Sequence, residues 1–546
     1  MSETYDYIVV GAGSAGAVVA ARLAADTRIR VALVEAGESD RRFPSNIKTL
    51  LPFGNVFLLS DKRYNWQYQF EGAPEVGGRE INCPRGRMLG GCTVLNGAVY
   101  IRGHARDYDD WAAQGVTGWA YSDVLKAFKR QERWAGEHSQ FHGTDGELDV
   151  RPLPSPNAVA RAFVEAGQQA GYARNDDFNG NTQDGVGFYH VNQRRGKRLN
   201  ASRAFLRGVE GQANFDILTE AHVHRIVIAQ GVATGVEIEQ AGQRRVIHAR
   251  EEVVLSAGTM NSPQLLMLSG IGAGDELRAH GIDVVLDLPG VGKNLQDHPS
   301  IGITAQDKSR ASMALNARTL PRMAFAGARY LLAQDGPFSS NAAEAGGFVR
   351  TRPGLDRPDV QLTLVVGMKG RADILPKEHG FVLHANVARP KSRGSVSLRS
   401  ADSRAKPVLE HGFLKDDEDL QTLVRGLKVS RSIVSQPAFA HVMGEEITPG
   451  ARYQSDAELE QAVRDHVATV YHPVGTCRMG VDSDPWAVLD DRLRVRGIRG
   501  LRVADASVMP SIVGGNTSAP AMMIGERAAE FILQERGGQA HELRSA

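Results

Sequence analysis

The chain has few cysteines, no imbalance of charge, no long apolar run and no internal repeat, and each absence closes off a class of function. Its three cysteines, Cys83, Cys92 and Cys477, are odd in number and widely spread. That argues against a disulfide framework and for a reducing compartment. No two have C-x-x-C spacing, so no metal site is expected. Lysine and arginine total 64 against 63 acids, a formal net charge of +1. Such a balance offers a polyanion no global field, and there is no basic arm or stacking platform, so nucleic acid is not an expected partner. The uncharged run Ile8 to Ala21 is broken by glycines, and no segment has the roughly 20 apolar residues of a membrane span. No fixed-period repeat or low-complexity tract is present. What remains is an ordinary globular composition, 42% hydrophobic and 23% charged, in a chain long enough for two large domains or one with big insertions.

What is there begins at once. Tyr5-Asp6-Tyr7-Ile8-Val9-Val10 reads as a short buried parallel strand, followed without a gap by Gly11-Ala12-Gly13-Ser14-Ala15-Gly16 and a helix of small apolar residues from Ala17 to Ala25. Arg30 to Val34 is a second strand, closed by Glu35. The three glycines serve different ends. Gly11 permits the tight turn, Gly13 lets backbone approach a pyrophosphate, and Gly16 lets the helix pack against the strand. The helix N-terminus offers free N–H groups to phosphates. Glu35, about twenty residues past the loop, can accept hydrogen bonds from an adenosine ribose. Strand, loop, helix, strand and acid in sequence predict a dinucleotide site, without separating NAD from FAD. A strand starting at residue 5 leaves no room for a signal peptide, so a cytoplasmic location is expected.

Farther along, Pro84 to Thr93 is glycine-dense, suited to bringing main chain close to something flat, and its apolar continuation Val94 to Tyr100 argues for burial. Glu251 to Gly258 reads as another buried strand, after which Asn261-Ser262-Pro263 is expected to cap a helix over Gln264 to Leu268. From about 305 to 475 the character changes. Val360 to Val365 and Phe381 to Val387 alternate as antiparallel strands do, and a charge-rich helical stretch follows from Asp416 to Ser435. This predicts an α+β layer over the nucleotide fold. Gly500 to Ser507 returns to strand-then-turn character, so the last strand of the first domain is expected from the C-terminal part of the chain.

Four segments together resemble the glucose–methanol–choline family of FAD-dependent oxidoreductases: GAGSAG at 11–16, GRMLGGCTVLN at 86–96, GTMNSPQLLMLSGIG at 258–272, and YHPVGTCRMG at 471–480 with ADASVMPSIVGGNTSAP at 504–520. The stretch 184–206 is most similar to that of bacterial FAD-dependent alcohol and choline dehydrogenases. The resemblance covers nearly the whole chain. It implies an α/β protein with a discontinuous Rossmann-like FAD-binding domain over 1–304 and 476–546, interrupted by a substrate-domain segment at about 155–210, and an α+β substrate-binding domain with an antiparallel sheet over 305–475. It also implies cofactor-binding residues. Gly11, Gly13, Ser14, Gly16, Glu35 and Ala36 match the ADP-binding part. Leu89, Gly90, Gly91, Asn96, Gly97, Ala98 and Val99 match the segment along the flavin ring. Val223 matches the residue touching adenine, and Ala257, Asp505, Ala506, Asn516 and Thr517 complete the set. His472 matches the family's active-site base and Asn516 its partner. Where some choline oxidases carry the histidine that binds FAD covalently, this chain has Leu95, so the implied FAD is non-covalent.

The chemistry fits those residue types. Alcohol oxidation removes a proton from oxygen and a hydride from carbon; the flavin takes the hydride at N5. A histidine titrating near neutrality suits the proton, and an amide N–H suits the developing alkoxide. The resemblance therefore implies oxidation of a primary alcohol to an aldehyde, with electrons passed to a quinone or other acceptor. An oxidase using O2, a hydroxynitrile lyase and a fatty acid photodecarboxylase are the alternatives on this scaffold. Among the other histidines, His298 is read as structural and His190 as a candidate for lining the pocket. Glu344 is a candidate for facing a quaternary ammonium group. The segment Leu320 to Leu332 reads either as an amphipathic helix packed on the core, which is preferred, or as an interfacial helix giving peripheral membrane contact and access to quinone.

Overall fold

A computed structural model describes residues 3–368 and 377–545. Strand Thr4–Val10 lies between Val31–Val34 and the end of the long strand Gln243–Leu255, parallel to both. Phe215–Leu218 extends the sheet beyond Val31–Val34, and Leu501–Val503 pairs with Val253 to Leu255 on the far side, again in parallel. Ile8, Val9, Val31, Ala32 and Leu33 are wholly buried, as expected of parallel strands covered on both faces. The N-terminal half of Gln243–Leu255 runs out of this core into an antiparallel meander with Val232–Gln240 and Ala221–Ala229. Helix Ser14–Ala24 covers one face of the sheet and itself packs against the C-terminal helix that begins at Ser518.

A second sheet is antiparallel, in the order Met443–Thr448, Pro299–Asp307, Gly380–Val387, Val360–Val365, Ala343–Val349, Gly185–Phe188, with Ala468–Thr469 beside the start of Pro299–Asp307. Alternation splits its faces. Leu362, Leu364, Leu383 and Ala385 are buried in the core on the side of helix Asp417–Val434. Gln361, Thr363 and Val365 alternate with them on one strand and His384 and Asn386 on its neighbour, in register Gln361 with Asn386 and Thr363 with His384. These five point toward the first sheet. The site lies between the two sheets.

Two elements differ from expectation. The helix expected over Gln264 to Leu268 starts six residues earlier, at Gly258, and runs through Pro263. Proline removes the hydrogen bond to the carbonyl four residues back; here that carbonyl, of Thr259, accepts from the Thr476 hydroxyl at 2.7 Å. The segment Leu320–Ala333 is helical but does not pack as preferred. Its buried stripe is Ala326 and Tyr330, whereas Leu320, Phe325, Leu331 and Leu332 are 66%, 72%, 80% and 89% exposed.

Candidate active site

A continuous cavity of about 480 Å³ runs from the glycine loop to His472. At its first end Gly11 takes φ +99°, and a Cβ there would stand 2.4 Å from the Ser256 carbonyl oxygen. A Cβ on Gly16 would stand 1.9 Å from the Gly11 oxygen, so the helix can approach the turn only without a side chain. Gly13 differs: a Cβ would meet no protein atom nearer than Gly91 Cα at 3.9 Å. The space it keeps free is cavity. Helix Ser14–Ala24 has no side-chain cap, which leaves first-turn N–H groups for an anion. Glu35 is buried, and its carboxylate accepts from Ala12 N–H at 3.0 Å and Gly37 N–H at 2.9 Å. Burial pushes its pKa up against those two bonds. A cradle of backbone donors with an acid beyond it fits the ADP half of a dinucleotide.

At the other end the hydrogen-bond directions are fixed by two backbone carbonyls. The Ala388 carbonyl lies 3.1 Å from His298 Nε2 and can only accept, so that nitrogen carries the proton. Burial pushes the His298 pKa down to about 4. The neutral ring therefore has a bare Nδ1, which faces His472 Nδ1 at 3.0 Å. His472 must donate there, leaving a lone pair on its Nε2. From the opposite side, Tyr189 donates its hydroxyl to the Leu362 carbonyl and so accepts from Gln361 Nε2 at 3.3 Å. Gln361 gives its other amide hydrogen to Asn516 Oδ1 at 3.1 Å. Asn516 is thus turned so that Nδ2 donates to His472 Nε2 at 3.2 Å, with one amide hydrogen to spare.

The backbone around His472 is equally tied. Its N–H donates to Asp297 Oδ1 at 2.8 Å, and Thr469 donates its hydroxyl to the other Asp297 oxygen. Tyr471 sits at φ +70°, a left-handed conformation uncommon for a bulky residue. Its carbonyl accepts from Arg85 Nη2 at 2.7 Å and its N–H donates to Thr469 Oγ1, also at 2.7 Å. Burial, then His298 and Arg85, hold the His472 pKa well below its ordinary value. Burial pushes Asp297 up to about 6.

Of the residues implied from sequence, Gly11, Gly13, Ser14, Glu35 and Ala36 line the cavity at one end. Gly91, Asn96, Gly97, Val99, Val223, Ala257, Asp505 and Ala506 continue the lining, and His472, Asn516 and Thr517 complete it. Gly16, Leu89, Gly90 and Ala98 stand behind the wall; Leu89 and Gly90 donate to the Glu38 and Ala12 carbonyls at 3.0 and 2.9 Å. Asp505 spends its carboxylate on Gly258 N–H, Ser262 Oγ and Ser507 N–H, which ties the turn after strand Leu501–Val503 to the first turns of helix Gly258–Leu268. His298 is more than a structural histidine, since it sets the tautomer of His472. His190 is away from the cavity, packed edge-on to Trp134 at 4.6 Å. Glu344 also points elsewhere, its oxygens accepting from Asn157 N–H and Ser340 Oγ. Gln361, Tyr189, His384 and Asn386 were not foreseen. The alternation that marked Val360 to Val365 as a strand already placed its polar residues on one face.

Family models described as GMC oxidoreductase match residues 5–300 and 390–525. The chain belongs to the GMC oxidoreductase family. It is 42% identical to the alcohol dehydrogenase (acceptor) of Pseudomonas putida over 97% of this chain and 96% of that one. It is 43% identical to the oxygen-dependent choline dehydrogenase of Rhizobium etli over 97% and 95%. Among solved structures it is similar to pyridoxine 4-oxidase from Mesorbium loti, with TM-score 0.86 and 30% identity over 96% of this chain and 98% of that one. It is also similar to formate oxidase from Aspergillus oryzae, with TM-score 0.90 and 26% identity over 98% and 100%. As a GMC oxidoreductase the protein is an FAD-dependent enzyme acting on CH–OH donors, and the cradle at Gly13 and Glu35 fits that cofactor.

Proposed function

We propose that this GMC oxidoreductase converts an uncharged primary alcohol to its aldehyde, with His472 as the base and Asn516 holding the alcohol oxygen. FAD, when bound, supplies the hydride acceptor. The observation that carries the reading is the pair of hydrogen-bond chains ending on His472 Nε2 and Asn516 Nδ2. On binding, the alcohol O–H takes the Nε2 lone pair in place of the Asn516 hydrogen that occupies it in the free site, and an Asn516 amide hydrogen meets the alcohol oxygen. As the proton moves to Nε2, the charge on the imidazole is shared through its Nδ1–H with the neutral acceptor His298. A buried pair arranged in advance needs no reorganisation at the moment of transfer.

The substrate's charge follows from the same end of the cavity. Glu344 is turned away, and the charged side chain lining the cavity beside Tyr471 and His472 is the Arg85 guanidinium, Asp297 standing behind the wall on the His472 N–H. That sign disfavours a quaternary ammonium group. Anaerobic mixing with a panel of alcohols tests the reading: neutral primary alcohols bleach the flavin absorbance and choline does so far more slowly. Failure of every alcohol to bleach it overturns the reading in favour of a non-redox lyase.

We further propose that electrons leave to a quinone at a lipid surface on which helix Leu320–Ala333 rests. Leu320, Phe325, Leu331 and Leu332 form its outward face, and Arg318 and Arg322 flank it, whereas Arg329 is paired with Asp335 at 2.6 Å. Apolar residues with flanking cations suit an anionic bilayer interface. No described helix is long and apolar enough to cross a membrane. Co-sedimentation with phosphatidylglycerol vesicles, lost when Phe325, Leu331 and Leu332 are changed to serine, is the expected result. Unchanged co-sedimentation removes the helix from that role. Rapid reoxidation by O2 with peroxide release, and none by quinone analogues, marks an oxidase instead.

A further inference from the structure

The Glu35 end of the cavity holds a second set of linked side chains, for which the reaction has no use. His222 and Ser403 both line it. They stand where an adenine would follow the ribose, because the Ala221 N–H donates to the Glu35 carbonyl at 2.9 Å and His222 is the next residue. Ser403 Oγ lies 2.7 Å from His224 Nδ1 and 3.1 Å from His222 Nε2. His224 Nε2 in turn lies 3.1 Å from Glu239 Oε2. The loop carrying Ser403 is pinned over the site: Arg404 Nη2 pairs with Glu239 Oε1 at 2.7 Å, and the Ala405 carbonyl accepts from Gln264 Nε2 at 2.8 Å.

The donor and acceptor roles follow in order. A carboxylate only accepts, so His224 Nε2 carries a proton toward Glu239. With that one proton on the ring, His224 Nδ1 is bare and takes the Ser403 hydroxyl hydrogen, the arrangement on which the following directions rest. A hydroxyl has one hydrogen, so toward His222 its oxygen accepts and His222 Nε2 donates. His222 is itself neutral, its pKa pushed down to about 4 chiefly by burial. Its Nδ1 is left as an acceptor. We propose that His222, oriented by Ser403, offers this lone pair to the exocyclic amino group of adenine and makes the site select adenine over a purine bearing oxygen there. The proposal rests on the FAD reading of the cavity. His222 is then a specificity residue for the cofactor, and Ser403, His224 and Glu239 position it.

The test compares two dinucleotides in one protein. Full-length chain stripped of flavin is titrated at pH 8 with FAD and with flavin hypoxanthine dinucleotide, followed by flavin fluorescence. Hypoxanthine replaces the amino donor by a carbonyl acceptor, so a lost bond and a facing lone pair give about tenfold weaker binding. His222→Phe and Ser403→Ala are expected to bring the ratio close to one. Equal affinities in the unaltered protein overturn the proposal, as does a tenfold ratio that survives both substitutions. A variant that weakens both ligands alike keeps its ratio and so counts against it. Failure of both dinucleotides to bind the unaltered protein sinks the cofactor reading as well, whereas tight, equal binding sinks this proposal alone.

Discussion

His298 and His472 meet through their Nδ1 atoms, 3.0 Å apart, so one ring gives the hydrogen and the other receives it. The Ala388 carbonyl decides which. Removing His298 frees His472 to take the other tautomer, which puts a hydrogen where a lone pair is needed. His298→Ala is expected to slow flavin reduction by alcohol roughly 10- to 100-fold, less than the roughly 10²–10⁴-fold a general base itself contributes, with FAD retained. His298→Gln, whose amide oxygen can accept from His472 Nδ1, should recover part of that rate. A purely structural role predicts no such recovery, and rapid-mixing kinetics on the two variants separates the cases.

Asn516 is aimed by Gln361, which is aimed by Tyr189. Asn516→Ala removes the donor to the alcohol oxygen and is expected to cost about 10²–10³-fold in the reduction rate, as loss of one preorganised donor does. Gln361→Leu leaves the donor in place but free to turn, so a smaller loss of about tenfold is expected. Equal losses in the two variants would remove Gln361 from an orienting role.

His472 stays unprotonated into acid, because burial, His298 and Arg85 all hold its pKa down. The reduction rate should therefore be level from pH 8 to pH 6.5 and fall only below that. A limb centred at or above 6.5 contradicts the assignment.

Stability carries its own pH signature at His411. The ring is buried, accepts the Phe413 N–H on Nδ1 at 2.7 Å, and has its pKa pushed down to about 4 by burial. Between about pH 4 and 6.5 the unfolded chain binds a proton that the folded chain refuses, so this group's stabilisation is complete above pH 6.5 and is lost as pH falls. His411→Phe removes that term and is expected to flatten the acid side of the Tm–pH curve by about one proton, roughly 1.4 kcal/mol per pH unit. An unchanged slope would show His411 does not titrate in that window.

Glu344 serves the fold. Its oxygens satisfy Asn157 N–H and Ser340 Oγ, and Glu344→Ala strands both, at a cost of about 1–3 kcal/mol. Its effect is expected in thermal unfolding, with the relative rates for choline and neutral alcohols unchanged. A variant that shifts that preference without losing stability would return Glu344 to the substrate.

The parts legible in the sequence were those carried by local pattern. Strand Thr4–Val10, the glycine turn and the two alternating strands of the second sheet each announce themselves within ten residues. His472 and Asn516 came from motif resemblance, and both line the cavity. What the sequence hid is what joins distant segments. His298 reaches His472 across 174 residues and Gln361 reaches Asn516 across 155, and no local spacing encodes either contact. The early start of helix Gly258–Leu268 depends on a hydroxyl 217 positions away. Periodicity in Leu320–Ala333 gave the helix correctly, but the direction of its apolar face is decided by neighbours that periodicity does not name.

The most direct test is rapid mixing of His472→Ala, purified with its flavin, against the best alcohol under anaerobic conditions. The expected result is a flavin reduction rate lower by about 10²–10⁴-fold with FAD content unchanged. Reduction at the rate of the unaltered protein would contradict the role of His472 as base.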